Sequence, residues 1–272
     1  MLARRARPLA TGVVIGRRPL LEADPDLGVG LEPDALRAAT RQLVAPVMEI
    51  PAGHGWDAPH DAEEWRGQLG LLVLDGLLTR DVALAGSECT ELIGEGDLLR
   101  PWDHVRADPV PFEVEWEVLA TTRLAVLDRR VTAVVGRLGE VSSALISRSV
   151  RRSRWLGLHL AIRCLRRVDA RLLVLFWHLA ERWGRVTPGG VVVSLPLTHE
   201  LLARLIGAQR PSVTTALGEL GARGAVLRQE QRWILGGDLP DELERIYAGH
   251  PAPRLSSADG IFQGVGRARA SR

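Results

Sequence analysis

The chain has 272 residues, 46% of them hydrophobic and 25% charged, with a net charge of +2. That composition fits a globular protein with cores for two modest domains. No apolar run approaches the about 20 residues of a membrane-spanning helix, and the apolar segment Ala10 to Ile15 is too short for a signal peptide. Cys89 and Cys164 stand far apart with no CxxC and no His cluster nearby, which argues against zinc or iron–sulfur ligation and for two thiols in a reducing cytoplasm.

The charge is unevenly placed. From Arg41 to Arg100 there are eleven Asp and Glu against four Arg, and from Arg123 to Arg185 fourteen Arg against four acids. Every basic residue is Arg, whose planar fork suits phosphate. A basic middle behind an acidic front points toward nucleic acid, although a solvated helix face can carry the same charges.

In chain order, residues 1–30 read as a loose arm rich in Arg, Pro and Gly. Asp34 to Val47 has helical spacing behind Pro33. Residues 31–127 form a front domain. In it Leu69 to Leu74 reads as a strand, Asp75-Gly76 as a hairpin turn, and Leu77-Leu78 as the start of a second strand. Further short strands are expected at Thr90 to Ile93, Phe112 to Trp116 and Val118 to Leu127. Short strands with Gly-rich turns suggest a small antiparallel roll. His60, Glu63 and Glu64 read as a solvated loop, and no phosphate-cradling loop or nucleophile motif suggests an enzyme.

After Asp128 the period becomes helical, and residues 128–168 form a helical segment. On its long helix, Ile146, Val150, Ser153, Gly157, Leu160 and Cys164 recur at alternating spacings of four and three. That seam suits a second helix from another copy, with packing on the chain's own roll as the alternative. Residues 169–237 follow as a separate domain: Asp169 as a helix N-cap, a helix to Trp183, Gly184, then a short strand from Val191. Residues 238–272 form a tail in which Asp241 to Tyr247 adds a turn of helix.

Thr198 to Leu220 is the most informative stretch. Thr198 caps a helix whose apolar face is Leu201, Leu202, Leu205 and Ile206. Gly207 ends it, and Pro211 sits in the first turn of a second helix, where its missing N–H costs little. Ala225 to Gln229 and Arg232 to Leu235 flank a polar corner at Glu230-Gln231. The pattern is a helix-turn-helix followed by a hairpin wing.

This segment resembles the DNA-binding domain of the Crp/Fnr family of bacterial regulators. The likeness extends back through Asp169-Ala-Arg171, the long helix, and the strand-rich region with Leu92-Ile-Gly-Glu-Gly96. It implies an α+β fold: an N-terminal antiparallel β-roll of the double-stranded β-helix type, a long dimerisation helix and a C-terminal winged helix-turn-helix. It implies a homodimer that binds an inverted repeat of double-stranded DNA and, as a partner, RNA polymerase. Base contacts fall by motif position on Arg210, Pro211, Ser212 and Thr215; from their own chemistry, Thr198 and His199, where free N–H groups begin a helix, the Thr214 hydroxyl, and Arg228 and Arg232 of the wing are the candidates for phosphate contact. Pro211 departs from the acidic residue of the best-known members and cannot accept a bond from cytosine. A ligand-binding or protein-interaction module with a vestigial DNA-binding domain is the alternative reading.

In cyclic-nucleotide-binding members a Gly-Glu pair precedes an Arg-Ser-Ala run. Here Gly94-Glu95 is present and the run is missing, so cAMP binding of the usual kind is not expected. The cofactor is left open. Glu95, Arg100, Trp102 and Arg106 are the candidates to line an effector pocket, and none of His54, His60 and His104 stands out as a haem ligand.

Overall fold

The structure, a computed structural model, describes residues 9–105 and 110–248. It divides into two compact units, residues 1–156 and 157–272. The division falls inside the long helix rather than beside it.

The first unit runs β1 (Leu9–Ala10), β2 (Val13–Pro19), α1 (Leu20–Ala23), a 3-10 turn at Pro25–Gly28, α2 (Pro33–Gln42), β3 (Val44–Ile50) and β4 (Gly55–Trp56). Then come β5 (Gly70–Leu84), β6 (Ser87–Gly94), β7 (Leu98–Leu99), a 3-10 turn at Pro101–Val105, β8 (Glu113–Leu127), α3 (Arg129–Val135) and α4 (Gly139–Cys164), whose residues from Gly157 onward, His159 and Arg163 among them, belong to the second unit. Among the described residues these eight strands join one sheet, in which β8 pairs antiparallel with β3, β4 and β5. The apolar run at the start of β5 is explained by burial on both faces. Leu72 and Leu74 enter a core with Leu27, Leu43, Leu127 and Leu145, while Leu71 and Val73 enter another with Ile50, Ile93, Trp102 and Leu124.

Three sequence expectations are corrected here. Asp75-Gly76 is not a hairpin turn: β5 continues through it as one 15-residue strand whose register against β8 shifts on either side of Asp75. Gly76 has φ +101°, and a Cβ there would lie 2.5 Å from the Cα of Thr122, so the glycine serves a bulge and a close backbone approach. The hairpin lies at Ala85-Gly86, both with positive φ. The helix behind Pro33 stops at Gln42, and Val44 to Ile50 is strand β3; Pro46 cannot continue a helix, and the alternate residues Ala45 and Val47 are buried. The supposed arm is ordered from Leu9: β2 pairs with β3, and Leu20, Leu21 and Leu27 are buried in the core.

The second unit contains α5 (Val168–Trp183), β9 (Gly184–Thr187), β10 (Gly190–Val193), α6 (His199–Ile206), α7 (Arg210–Ala222), β11 (Val226–Gln229), β12 (Arg232–Leu235) and α8 (Leu239–Ile246). Four strands form an antiparallel sheet in the order β11-β12-β10-β9. Phe176 of α5 packs on Trp233 of β12 with ring centroids 4.9 Å apart. Asp169 is not the N-cap of α5, which begins one residue earlier behind Arg167. It is instead buried, accepting from Arg167 Nη2 at 2.8 Å with Arg223 at 3.6 Å. Burial alone would raise its pKa, but these guanidinium groups and the Ala170 N–H hold it below the usual carboxylate value. The expected helical turn near the end of the chain is α8, with Leu243, Ile246 and Tyr247 buried.

Candidate nucleic-acid interface

The helix-turn-helix is built from local signals. The Thr198 side chain accepts from Leu201 N at 3.1 Å and starts α6. Gly207, at φ 64°, ends it in the left-handed conformation, and Ala208 N donates to Ala203 O at 2.9 Å. Arg204 O accepts from Gly207 N at 3.4 Å, and the carbonyls after it take partners from other elements. Arg163 of α4 donates to Arg204 O at 2.9 Å and Leu205 O at 3.2 Å, and Arg171 of α5 to Ile206 O and Gly207 O. His159 of α4 also meets Leu205 O, at 2.7 Å. These capping residues were not legible in the sequence, because they come from other elements.

Helix α7 turns Val213, Ala216, Leu217 and Leu220 inward. Arg210, Pro211, Ser212, Thr214 and Thr215 are all exposed along its leading edge. The Thr214 hydroxyl donates to Arg210 O at 3.1 Å and the Thr215 hydroxyl to Pro211 O at 3.3 Å. Both therefore present acceptor lone pairs outward. His199, first residue of α6, meets Thr214 Oγ1 through Nδ1 at 2.9 Å. Partial burial, then Arg228 and Arg210, lower its pKa. The structure thus gathers His199, Arg210, Thr214 and the wing residue Arg228 on one surface. Arg228 also lies over the Trp233 ring at 5.2 Å, and Arg232 is exposed on β12.

On α4 the six seam residues Ile146, Val150, Ser153, Gly157, Leu160 and Cys164 are all exposed, Ile146 to 64% and Leu160 to 59%. Within the first unit, Ile146, Val150 and Ser153 are not part of the core of the roll. Val141 and Leu145 belong to that core, and Arg148 pairs with Asp24 at 2.6 Å.

In the first unit a cavity of about 180 Å³ is lined by Arg80, Leu98, Arg100, Trp116, Ser149 and Arg152, among others. Arg152 donates to both Glu91 oxygens, at 2.7 and 2.8 Å, and Arg80 reaches Glu91 at 3.2 Å. Of the residues expected to line a pocket, Arg100 does so. Glu95 is exposed in the turn between β6 and β7 and acts on Asp24. Trp102 is core, 1% exposed and stacked on Trp65 at 4.7 Å. Arg106 lies outside the described residues. Among the described residues no cluster of His, Cys, Asp or Glu is arranged to hold a metal, and no helix is long and apolar enough to cross a membrane.

A capped helix pair with an exposed polar edge, a flanking hairpin and a basic surface defines a winged helix-turn-helix protein of the DNA-binding class. A sequence model of Crp-like helix-turn-helix domains matches residues 167–244. The chain is 28% identical over 217 residues to the CRP-like cAMP-activated global transcriptional regulator of Mycobacterium tuberculosis, across 77% of this chain and 91% of that one. It is 35% identical over 111 residues to the regulatory protein CysR of Synechococcus elongatus, across 40% and 50% of the two chains. Among solved structures it is similar to a CooA mutant from Carboxydothermus hydrogenoformans, with TM-score 0.59 and 18% identity over 85% of this chain and 97% of that one. It also resembles the c-di-GMP responsive regulator CLP of Xanthomonas campestris, with TM-score 0.52 and 17% identity over 71% and 95%. Residues 167–244 are a Crp-like helix-turn-helix domain, and most of the chain is similar to a CRP-like regulator. Its helix-turn-helix DNA-binding domain is that of a transcription regulator, the class to which both of these curated relatives belong.

Proposed function

We propose that the protein acts as a homodimer paired along α4 on an inverted repeat of double-stranded DNA, with α7 in the major groove. One observation carries this reading: the exposed leading edge of α7 presents Arg210 and Thr215 outward, flanked by His199 and Arg228. Arg210 can give two hydrogen bonds to guanine. Thr215, its proton turned to Pro211 O, can accept from a base amino group. Pro211 and Ser212 complete the base-facing turn. Thr198, His199, Thr214, Arg228 and Arg232 face the phosphates, which sets position rather than sequence. The exposed apolar seam supports the two-fold pairing, which predicts half-sites about one helical turn apart. Contact with RNA polymerase and a place on the cytoplasmic nucleoid belong to this reading.

The related regulators include one activated by cAMP and one responsive to c-di-GMP. For this chain the cavity beside Arg80, Arg100 and Arg152 is the better effector site, in place of the set built on Glu95. Its three guanidinium groups favour an anionic ligand, which would compete with Glu91 for Arg152. The vestigial-domain alternative loses ground because the groove-facing edge keeps its donors and acceptors.

The test is selection from a random duplex pool with the wild type, Arg210→Ala and Val150→Asp. The wild type should enrich an inverted repeat. Arg210→Ala should lose a guanine preference worth about 1–3 kcal/mol, roughly 5- to 150-fold in discrimination. Val150→Asp should sediment as a monomer and keep at most half-site binding. No enrichment, with or without cell extract, would overturn the proposal.

A further inference from the structure

The hydrogen bond between His199 and Thr214 restricts which imidazole nitrogen carries a proton. A threonine hydroxyl has one hydrogen. In Thr214 it points to Arg210 O, one turn back along α7, at 3.1 Å. Toward His199 the same oxygen must then accept, so Nδ1, at 2.9 Å, is the donor. A neutral imidazole protonated at Nδ1 has a bare lone pair at Nε2. That nitrogen has nothing to offer a phosphate oxygen. Only the imidazolium form has N–H at both nitrogens.

From this we infer that His199 takes up a proton when DNA binds, so that Nε2 donates to a backbone phosphate only in the charged form. The inference rests on the reading of this surface as the DNA site. The charged groups facing His199 are Arg210 from α7 and Arg228 from β11, while Glu200 beside it on α6 is exposed. Without DNA the two guanidinium groups oppose a third positive charge, and with partial burial they lower the His199 pKa below its ordinary 6.5. DNA phosphates reverse the sign of that field. The bound pKa therefore lies above the unbound one. Affinity rises as pH falls through the bound pKa and levels off below the unbound one.

The experiment measures Kd for the duplex recovered by selection, by fluorescence anisotropy from pH 5.5 to 8 at constant ionic strength. In the window between the two pKa values the wild type should gain up to about tenfold per pH unit for each protomer engaged. His199→Arg, a permanent donor, should bind tightly with that pH dependence removed. His199→Gln should bind more weakly and also lose it. Thr214→Val, which frees the imidazole to place its proton on Nε2, should show a shallower dependence. Thermal unfolding of each variant, expected near wild type at this half-exposed position, separates folding from binding. A flat wild-type profile overturns the inference, as does a slope that persists unchanged in His199→Gln. Failure of the wild type to bind any duplex at any pH overturns the DNA-binding reading instead, and this inference with it.

Discussion

Arg152, on the long helix, holds Glu91 of β6 through two hydrogen bonds of 2.7 and 2.8 Å, across 61 positions of sequence. The same guanidinium donates to Leu98 O at 3.1 Å. The pair is largely buried, with side-chain exposures of 18% and 11%. It ties α4 to β6, and Arg152 itself lines the cavity.

Glu91→Ala should therefore destabilise the protein by about 3 kcal/mol, because it leaves Arg152 and Arg80 partly buried without their counter-charge. The urea midpoint of unfolding measures this. The double variant Glu91→Gln/Arg152→Met should recover part of the loss. An effect of only a few tenths in the single variant would show that solvent screens the pair fully.

Gly207→Ala should cost about 1–2 kcal/mol from the left-handed backbone. A Cβ there would also lie 2.7 Å from the Arg163 guanidinium and push it away from the carbonyls it caps. Chemical denaturation checks the stability. DNA binding should weaken more than global stability, since the displaced cap fixes the turn between α6 and α7.

His178 is 5% exposed on α5, and burial followed by the His159 charge lowers its pKa to about 4. The unfolded chain, near 6.5, binds the proton more readily than the native one. Stability is therefore fully present above about pH 6.5 and is lost as pH falls toward 4, by about 3 kcal/mol in all. Urea unfolding at pH 7 and pH 4.5 tests it, and His178→Phe should remove this share of the pH dependence.

The DNA-binding half was legible because its signals are local. Thr198, Gly207 and Pro211 each act within one turn of backbone, and the wing corner at Glu230 adopts the positive φ of 53° that a tight turn needs. The front half was legible only as a class. Asp75-Gly76 carries a hairpin signal, yet Gly76 is needed for close approach to Thr122, and Asp75 faces Arg123 at 3.4 Å. Strand pairing with β8 overrode the local preference.

The pocket shows the same division. Gly94-Glu95 has the look of a ligand-binding pair, but the backbone places Glu95 in an exposed turn, where Asp97 accepts from Gly94 N at 2.9 Å. The side chains that do meet at the cavity, Arg80, Arg100 and Arg152, are ordinary arginines among many. Nothing within a few residues of any of them marks it.

By itself the sequence determined the Thr198 and Gly207 caps of α6, the polar leading edge of α7, the wing and the periodic seam of α4, since each depends on residues no more than a few positions apart. Only the tertiary structure decided that β5 is one strand buried on both faces, that Arg163 and Arg171 cap α6, that Glu91 is held by Arg152, and that the seam stays exposed. Those outcomes depend on contacts between distant segments. The same local pattern is compatible with several such pairings, and burial together with the pairing of buried charges selects among them.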